Sequence, residues 1–358
     1  MLLSIAVFNC FTFAVMGIYK SVLRQILFLI DAEKAHYFSV KSASFLLKIP
    51  GLRALAKNYF SVDHPQLKRK VFGLTFKNPV GLAAGFDKNA EYINEMEAFG
   101  FGFVEIGTLT PKAQPGNPKK RIFRLPKDQA LINRLGFNNR GVDDAIKRLA
   151  KNRNIIVGGN IGKNKSTENK NAKADYQFSF EKLYPYVDYF TVNVSSPNTP
   201  NLRDLQDAEP LKELLKLLIS LRDKKSKYKS ILLKIAPDLS TDQLDQILEI
   251  VQEVKLDGLI ATNTTLSRDG LISKDKDEKG GLSGKPLSGR STEMIDYIYK
   301  KTDGKLPIIG VGGVFTAKDA QEKLDAGASL VQVYTGFAYE GPAMVRRINK
   351  GLLNHIRE

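Results

Sequence analysis

The sequence predicts an α/β protein: a (β/α)8 TIM barrel with a small N-terminal helical extension. Eight short apolar runs, at 79–83, 103–106, 155–158, 189–192, 231–233, 258–261, 307–310 and 330–333, alternate with helical stretches. Near-continuous apolar strands are buried on both faces, and helices between strands impose parallel order. The eight units fill residues 79–355, a length that suits such a barrel. A doubly wound open sheet is the alternative, but no G-x-G-x-x-G follows the first run. At 358 residues, 43% of them hydrophobic, the chain has material for one large domain and an appendage. The division expected is 1–60 for the helical extension and 61–358 for the barrel.

At the N-terminus, residues 1–19 carry no charged side chain, yet the apolar stretch 2–18 is broken by Ser4, Asn9 and Thr12. It is short for a membrane span and lacks the basic start and cleavage site of a signal peptide. Two readings stay open: translation starts at Met16 and residues 1–15 are an extension of the reading frame, or the segment is a weak membrane anchor. From residue 19 the pattern turns helical. Tyr19, Val22, Leu23, Ile26, Leu27 and Ile30 recur at three and four residues, followed by Phe38, Ser42, Phe45, Leu46 and Ile49 before Pro50-Gly51. Two short amphipathic helices are expected. They either pack on the main domain or frame a groove for a lipid-like molecule, and the pattern alone does not choose.

Charge and cysteine content exclude several classes. The net charge of +16 comes with no nucleic-acid-binding motif, so solvated helix faces and an anionic membrane surface are the expected partners of the basic excess. The single cysteine, Cys10, leaves no intrachain disulfide framework and no cysteine-based metal or iron-sulfur site.

In a barrel the active site forms at the carboxyl ends of the strands. The residues there are small or polar: 84–88 (A-G-F-D-K), Thr108, Asn160, Asn193, Lys234, 262–264 (T-N-T), Gly312-Gly313 and 334–336 (Y-T-G). Inserts at 110–135 and 265–290, rich in Gly, Pro and Lys, read as loops or hairpins on the same face. The glycines after the seventh run and Tyr334-Thr335-Gly336 after the eighth offer bare backbone N–H groups, which is a phosphate cradle. The tips hold no carboxylate pair, no histidine and no metal-ligand spacing, which argues against a hydrolase and a metalloenzyme. Asparagine amides both donate and accept, which suits the edges of a pyrimidine ring. Lys234, at the end of a buried strand, needs an anionic partner.

The fourth run ends in T-V-N-V-S-S-P-N at 191–198, a serine pair far in sequence from the histidines at 36, 64 and 355. With G-L-A-A-G-F-D-K at 81–88, N-R-L-G-F-N-N at 133–139, L-L-K-I-A-P-D at 232–238, A-T-N-T-T at 261–265, G-L-S-G-K-P-L at 281–287 and V-Q-V-Y-T-G-F at 331–337, the chain closely resembles the dihydroorotate dehydrogenase family. The resemblance runs in order from about His36 to the last helix.

That resemblance implies FMN-dependent oxidation of (S)-dihydroorotate to orotate in pyrimidine biosynthesis. Serine at position 196, where the cytosolic branch has cysteine, and the helical extension both imply the quinone-linked, membrane-associated branch (class 2). It implies Ser196 as the catalytic base, aided by Thr199 and Phe137. It implies FMN contacts at Ala84, Gly85, Lys88, Thr108, Asn160, Asn193, Lys234, Thr262, Gly284, Gly313, Tyr334 and Thr335. Substrate contacts are implied at Lys88, Asn133, Arg134, Leu135, Gly136, Phe137, Asn193, Asn198, Asn263 and Thr264, and a quinone tunnel at His36, Arg124 and Tyr334. No metal is implied. The expected form is a monomer held peripherally on the cytoplasmic face of the cell membrane. Two rivals are an FMN barrel acting on RNA, which would be expected to use a cysteine acid that no residue besides Cys10 supplies, and a phosphate-binding barrel kept as a membrane scaffold.

Overall fold

The computed structural model describes residues 19–151 and 153–357, so the two readings of residues 1–15 lie outside the described residues. Eight parallel strands close into a barrel: β1 (Val80–Leu82), β2 (Phe103–Leu109), β3 (Ile156–Ile161), β4 (Tyr189–Asn193), β5 (Ile231–Ile235), β6 (Gly258–Ala261), β7 (Ile308–Val311) and β8 (Leu330–Val333). Each strand pairs with the next, and β8 pairs back to β1 through Val331 and Val80. The expected fold class is therefore the observed one.

Strands β2 to β5 run further than their apolar runs. Thr108, Asn160, Asn193 and Lys234 lie inside the ladders, with Asn160 paired to Thr191 and Asn193 to Lys234. The backbone ladder continues where the side chains turn polar because the barrel interior changes there from packed core to cavity. Lower down, Phe103, Tyr189, Leu232, Ile260, Ile309 and Leu330 fill the interior. Glycine at 158 makes room for this layer, since a Cβ there would lie 2.2 Å from Cζ of Tyr189. A hairpin of Arg69–Val71 and Leu74–Phe76 closes this end, and Phe76 meets Phe103 edge-on at 5.1 Å.

The two inserts meet above the opposite end as a three-stranded antiparallel sheet with Ala130–Asn133 in the centre, flanked by Ile122–Leu125 and Gly281–Gly284. This is the hairpin cover expected over the active face.

The extension holds more helices than the two expected. A π-wound turn at Tyr19–Leu23 runs into α1 (Arg24–Leu29), Asp31 caps α2 (Ala32–Leu46) by accepting from the backbone N–H groups of Glu33 and Lys34, and α3 (Leu52–Phe60) follows. Pro50-Gly51 ends one helix, but Gly51 at φ 83 also lets the chain enter another. Large apolar side chains on these helices face outward: Leu29 is 87% exposed, Phe45 70%, Phe38 62% and Ile26 55%. Polar ties bind the extension to the barrel, among them Lys57 to Glu97 at 2.6 Å, Ser44 to Glu95 at 2.6 Å and a buried pair of Glu33 with Arg121. Among the described residues no helix is long and apolar enough to cross a membrane.

Candidate active site

At the carboxyl ends of the strands, under the three-stranded cover, lies a cavity with about 1110 Å³ of empty space, part of it open to solvent. It is lined by Ala84, Gly85, Lys88, Thr108, Asn133, Leu135, Gly136, Phe137, Asn193, Ser196, Asn198, Lys234, Thr262, Asn263, Thr264, Gly284, Gly313, Tyr334 and Thr335. Segments from all over the sequence thus converge as expected. Five expected residues are not among those lining it: Asn160, Thr199, Arg134, His36 and Arg124.

The floor is a chain of oriented amides. Fully buried Glu105, on β2, accepts from Nδ2 of Asn160 at 2.8 Å, Oγ1 of Thr191 at 3.1 Å, the Tyr189 hydroxyl at 3.2 Å and Nε2 of Gln332 at 2.8 Å. Asn160 in turn accepts from Oγ1 of Thr108 at 2.6 Å and from Nδ2 of Asn193 at 3.3 Å. So Asn160 sits one layer beneath the cavity and fixes which edges its neighbours present. Gln332 gives its N–H to the carboxylate, and its buried Oε1 has no partner. A buried acceptor of this kind calls for a donor from outside the protein.

Lys234 needs an anionic neighbour, and the carboxylate whose charge acts on it is the buried Glu105. Burial pushes the Lys234 ammonium down while the Glu105 charge opposes the shift. Among the described residues none makes a hydrogen bond or ion pair with the Lys234 ammonium, which lines the cavity. Glu105 and Gln332 are the residues that the sequence reading missed. A carboxylate inside an apolar run is a signal in itself, because burial without several donors is prohibitively costly.

The two serines of the 193–199 loop differ in position. Ser195 is fully buried and takes a hydrogen bond from Nδ2 of Asn263 at 2.9 Å, so it is part of the scaffold. Ser196 lines the cavity, and its Oγ accepts only a long bond of 3.3 Å from the Asn198 backbone N–H. Near it in the chain, Thr199 is buried and its Oγ1 has no partner. Asn198 reaches across to Oδ1 of Asn133 at 3.1 Å, which joins this loop to the cover sheet. Phe137 is held at φ 53, an uncommon conformation for a bulky side chain, by Nδ2 of Asn139 and Nε2 of Gln114 donating to its carbonyl at 2.7 and 3.1 Å.

Burial pushes the Lys88 ammonium down to about 8, against the pull of Glu33, and its Nζ donates to the Gly85 carbonyl at 2.6 Å. At the far end of the cavity, Gly313 lies so near the Ser288 backbone that a Cβ would come within 2.5 Å of its Cα. The Oγ1 of Thr335 meets Oγ of Ser283 at 2.8 Å beside this turn.

Arg134 points away from the cavity. Its guanidinium pairs with Glu278 at 2.5 Å and stacks on Phe123, because the outer side of the cover strand offers a carboxylate. His36 and Arg124 belong to the junction with the extension. The His36 ring packs edge-on against Phe86 at 4.6 Å, and Phe86 against Tyr334 at 5.7 Å, whose ring lines the cavity. Burial, with the Lys88 charge, pushes His36 down to about 3, so the ring is neutral at physiological pH. Arg124 lies over the Phe28 ring at 4.7 Å and donates to the carbonyl of Ile30 at 2.6 Å, closing the end of α1.

The family model described as dihydroorotate dehydrogenase matches residues 66–356. The chain belongs to the dihydroorotate dehydrogenase family. It is 59% identical over 335 residues to the dihydroorotate dehydrogenase (quinone) of Christiangramia forsetii, covering 94% of this chain and 98% of that one. The dihydroorotate dehydrogenase (quinone) of Gloeobacter violaceus is 51% identical over 342 residues, covering 95% of each chain. Within the family the chain therefore falls in the quinone-linked branch. Among solved structures, DHODH from Eimeria tenella in complex with ferulenol is 41% identical and superposes with a TM-score of 0.79, covering 88% of this chain and 94% of the other. The ligand-free form of the same dehydrogenase gives a TM-score of 0.80 at 42% identity, covering 86% and 95%.

Proposed function

We propose that the cavity binds FMN and (S)-dihydroorotate, that Ser196 removes the substrate's C5 proton, and that the electrons leave to a membrane quinone at the junction with the extension. The observation that carries this reading is Ser196 lining a cavity whose floor presents asparagine edges and the Lys234 ammonium, in a chain of this family.

The residues present fit FMN. The orphaned Oε1 of Gln332 and the ammonium of Lys234, unpaired among the described residues, each ask for a ligand, one with a ring donor and one with an electron-rich edge. Gly284, Gly313 and Thr335 would hold the phosphate, and Lys234, Thr108, Asn193 and Thr262 the polar ring edges. Asn160 acts through Thr108 and Asn193, while Ala84, Gly85, Lys88 and Tyr334 complete the walls. When bound, FMN supplies a hydride acceptor for C6 of the substrate and a path for two electrons onward.

The chain's own groups handle the proton. C5 is adjacent to a carbonyl, so loss of its proton leaves an enolate-like charge that fixed donors must stabilise. Asn133, Asn193, Asn198, Asn263 and Thr264 supply such donors, and Lys88 meets the substrate carboxylate. Ser196 is a weak base. The unpartnered hydroxyl of Thr199, with water, takes the proton onward, and Leu135, Gly136 and Phe137 shield the site from bulk solvent. His36, Arg124 and Tyr334 surround the route of the quinone. The outward apolar faces of α1 to α3 and the net charge of +16 support peripheral attachment to an anionic membrane surface. We take this surface to be the cytoplasmic face of the cell membrane and the protein to be a monomer.

The test is product formation with different acceptors. Purified protein given dihydroorotate and a short-chain quinone should form orotate, detected by its absorbance, while fumarate and NAD as acceptors give little. Orotate formation driven best by fumarate or NAD would overturn the quinone assignment.

A further inference from the structure

The buried pair of Glu33 and Arg121 joins the extension to the barrel domain in a way that the proposed chemistry does not use. The Glu33 carboxylate, on α2, accepts from Nη2 of Arg121 at 2.7 Å and from Nε at 2.9 Å, a two-pronged pair with both residues about 6–7% exposed. The other arm of the same guanidinium, Nη1, donates to the carbonyls of Pro115 at 2.7 Å and Asn117 at 2.8 Å. A planar guanidinium held on one edge by a carboxylate has its second edge fixed in direction, so the 115–117 turn is set by the position of α2.

That turn reaches the substrate end of the cavity. Nδ2 of Asn117 donates to the carbonyl of Asn198 at 3.0 Å, and the Asn117 backbone N–H donates to the carbonyl of Leu135 at 3.0 Å. Asn198 in turn gives its backbone N–H to Oγ of Ser196 and its side-chain amide to Asn133. From α2 to the serine, every link is a hydrogen bond between buried or half-buried groups.

We propose that Glu33 is a positioning residue for substrate binding: through Arg121 and Asn117, the extension holds the Ser196–Asn198 loop in its substrate-binding geometry. The extension then serves the dihydroorotate half of the reaction as well as the quinone half. The inference rests on the functional reading above, in that orotate is taken as the occupant. Glu33 also lies close enough to Lys88 for its charge to favour the ammonium, which gives a second route to the same substrate. The two routes predict different couplings and are therefore separable.

The experiment measures the dissociation constant of orotate by calorimetry on the FMN-loaded full chain, with flavin content and melting temperature recorded for each variant. Glu33→Gln and Asn117→Ala should each weaken orotate about tenfold at unchanged flavin content, the scale expected for a misplaced binding loop. The double variant should be no weaker than the weaker single one, because both break one chain. Ser44→Ala, which frees α2 from Glu95 without touching Arg121, should leave orotate binding unchanged. The inference is overturned if Glu33→Gln binds orotate normally, if Ser44→Ala weakens it equally, or if the effects of Glu33→Gln and Asn117→Ala multiply. A Glu33→Gln chain that fails to fold leaves Arg121→Lys, which keeps the charge but loses the two-edged fork, as the variant that must weaken orotate. Wild-type protein that does not bind orotate overturns the functional reading itself.

Discussion

Ser195 and Ser196 are adjacent in sequence and differ only in what surrounds them, so the base assignment is a statement about one side chain. Ser196→Ala should keep flavin and orotate binding yet slow dihydroorotate-driven flavin bleaching by orders of magnitude, measured by stopped flow; unchanged rates would remove Ser196 from the mechanism. Lys88 carries a prediction with a sign. Its ammonium, lowered to about 8 by burial, is charged below that pH and able to pair with a carboxylate. Orotate affinity should therefore be level below about pH 8 and weaken towards tenfold per pH unit above it. Lys88→Met should bind orotate weakly at every pH and lose this alkaline limb, and a wild-type profile that stays flat through pH 9 would separate Lys88 from the substrate. Most residues that line the cavity were legible because they sit in ordered motifs at strand ends. Glu105 and Gln332 were not, because each is one polar residue inside an apolar run, and a run is read by its majority.

Strands were easier to read than their ends. The apolar stretch of β5 stops at Leu233, yet the ladder carries Lys234 and Ile235, since pairing is set by backbone geometry and not by polarity. The extension shows the same limit, for Pro50-Gly51 marks a break between two helices as readily as an end. Close packing inside the barrel leads to a stability prediction. Gly158→Val would drive two methyl groups into the Tyr189 ring and destabilise the fold by about 1–3 kcal/mol or more, read as a lowered thermal midpoint. On α1 and α2, Leu29 and Phe45 are large, apolar and exposed. Replacing both with Asp should slow quinone-driven return of flavin colour several-fold in the presence of lipid and leave bleaching by dihydroorotate intact. Equal loss of both half-reactions would place the acceptor elsewhere.

At the scale of the whole molecule, Tyr334 links the cavity under the cover sheet to the junction with the extension, since its ring lines the cavity and packs on Phe86, which packs on His36; the proposed function places the quinone at that junction. The fold was legible because eight buried parallel strands leave a repeating signature over the whole domain. How the extension docks was not, since the pairing of Glu33 with Arg121 spans 88 positions and neither residue stands out in its own segment. The central claim is that electrons pass from dihydroorotate to a flavin in the cavity and from there to a quinone. It is tested most directly by mixing the purified protein anaerobically with dihydroorotate, following the flavin absorbance, and then adding a quinone analogue. The account predicts rapid bleaching followed by rapid return of colour on quinone addition. A yellow protein that does not bleach would contradict the substrate assignment, and bleaching without return would contradict the acceptor.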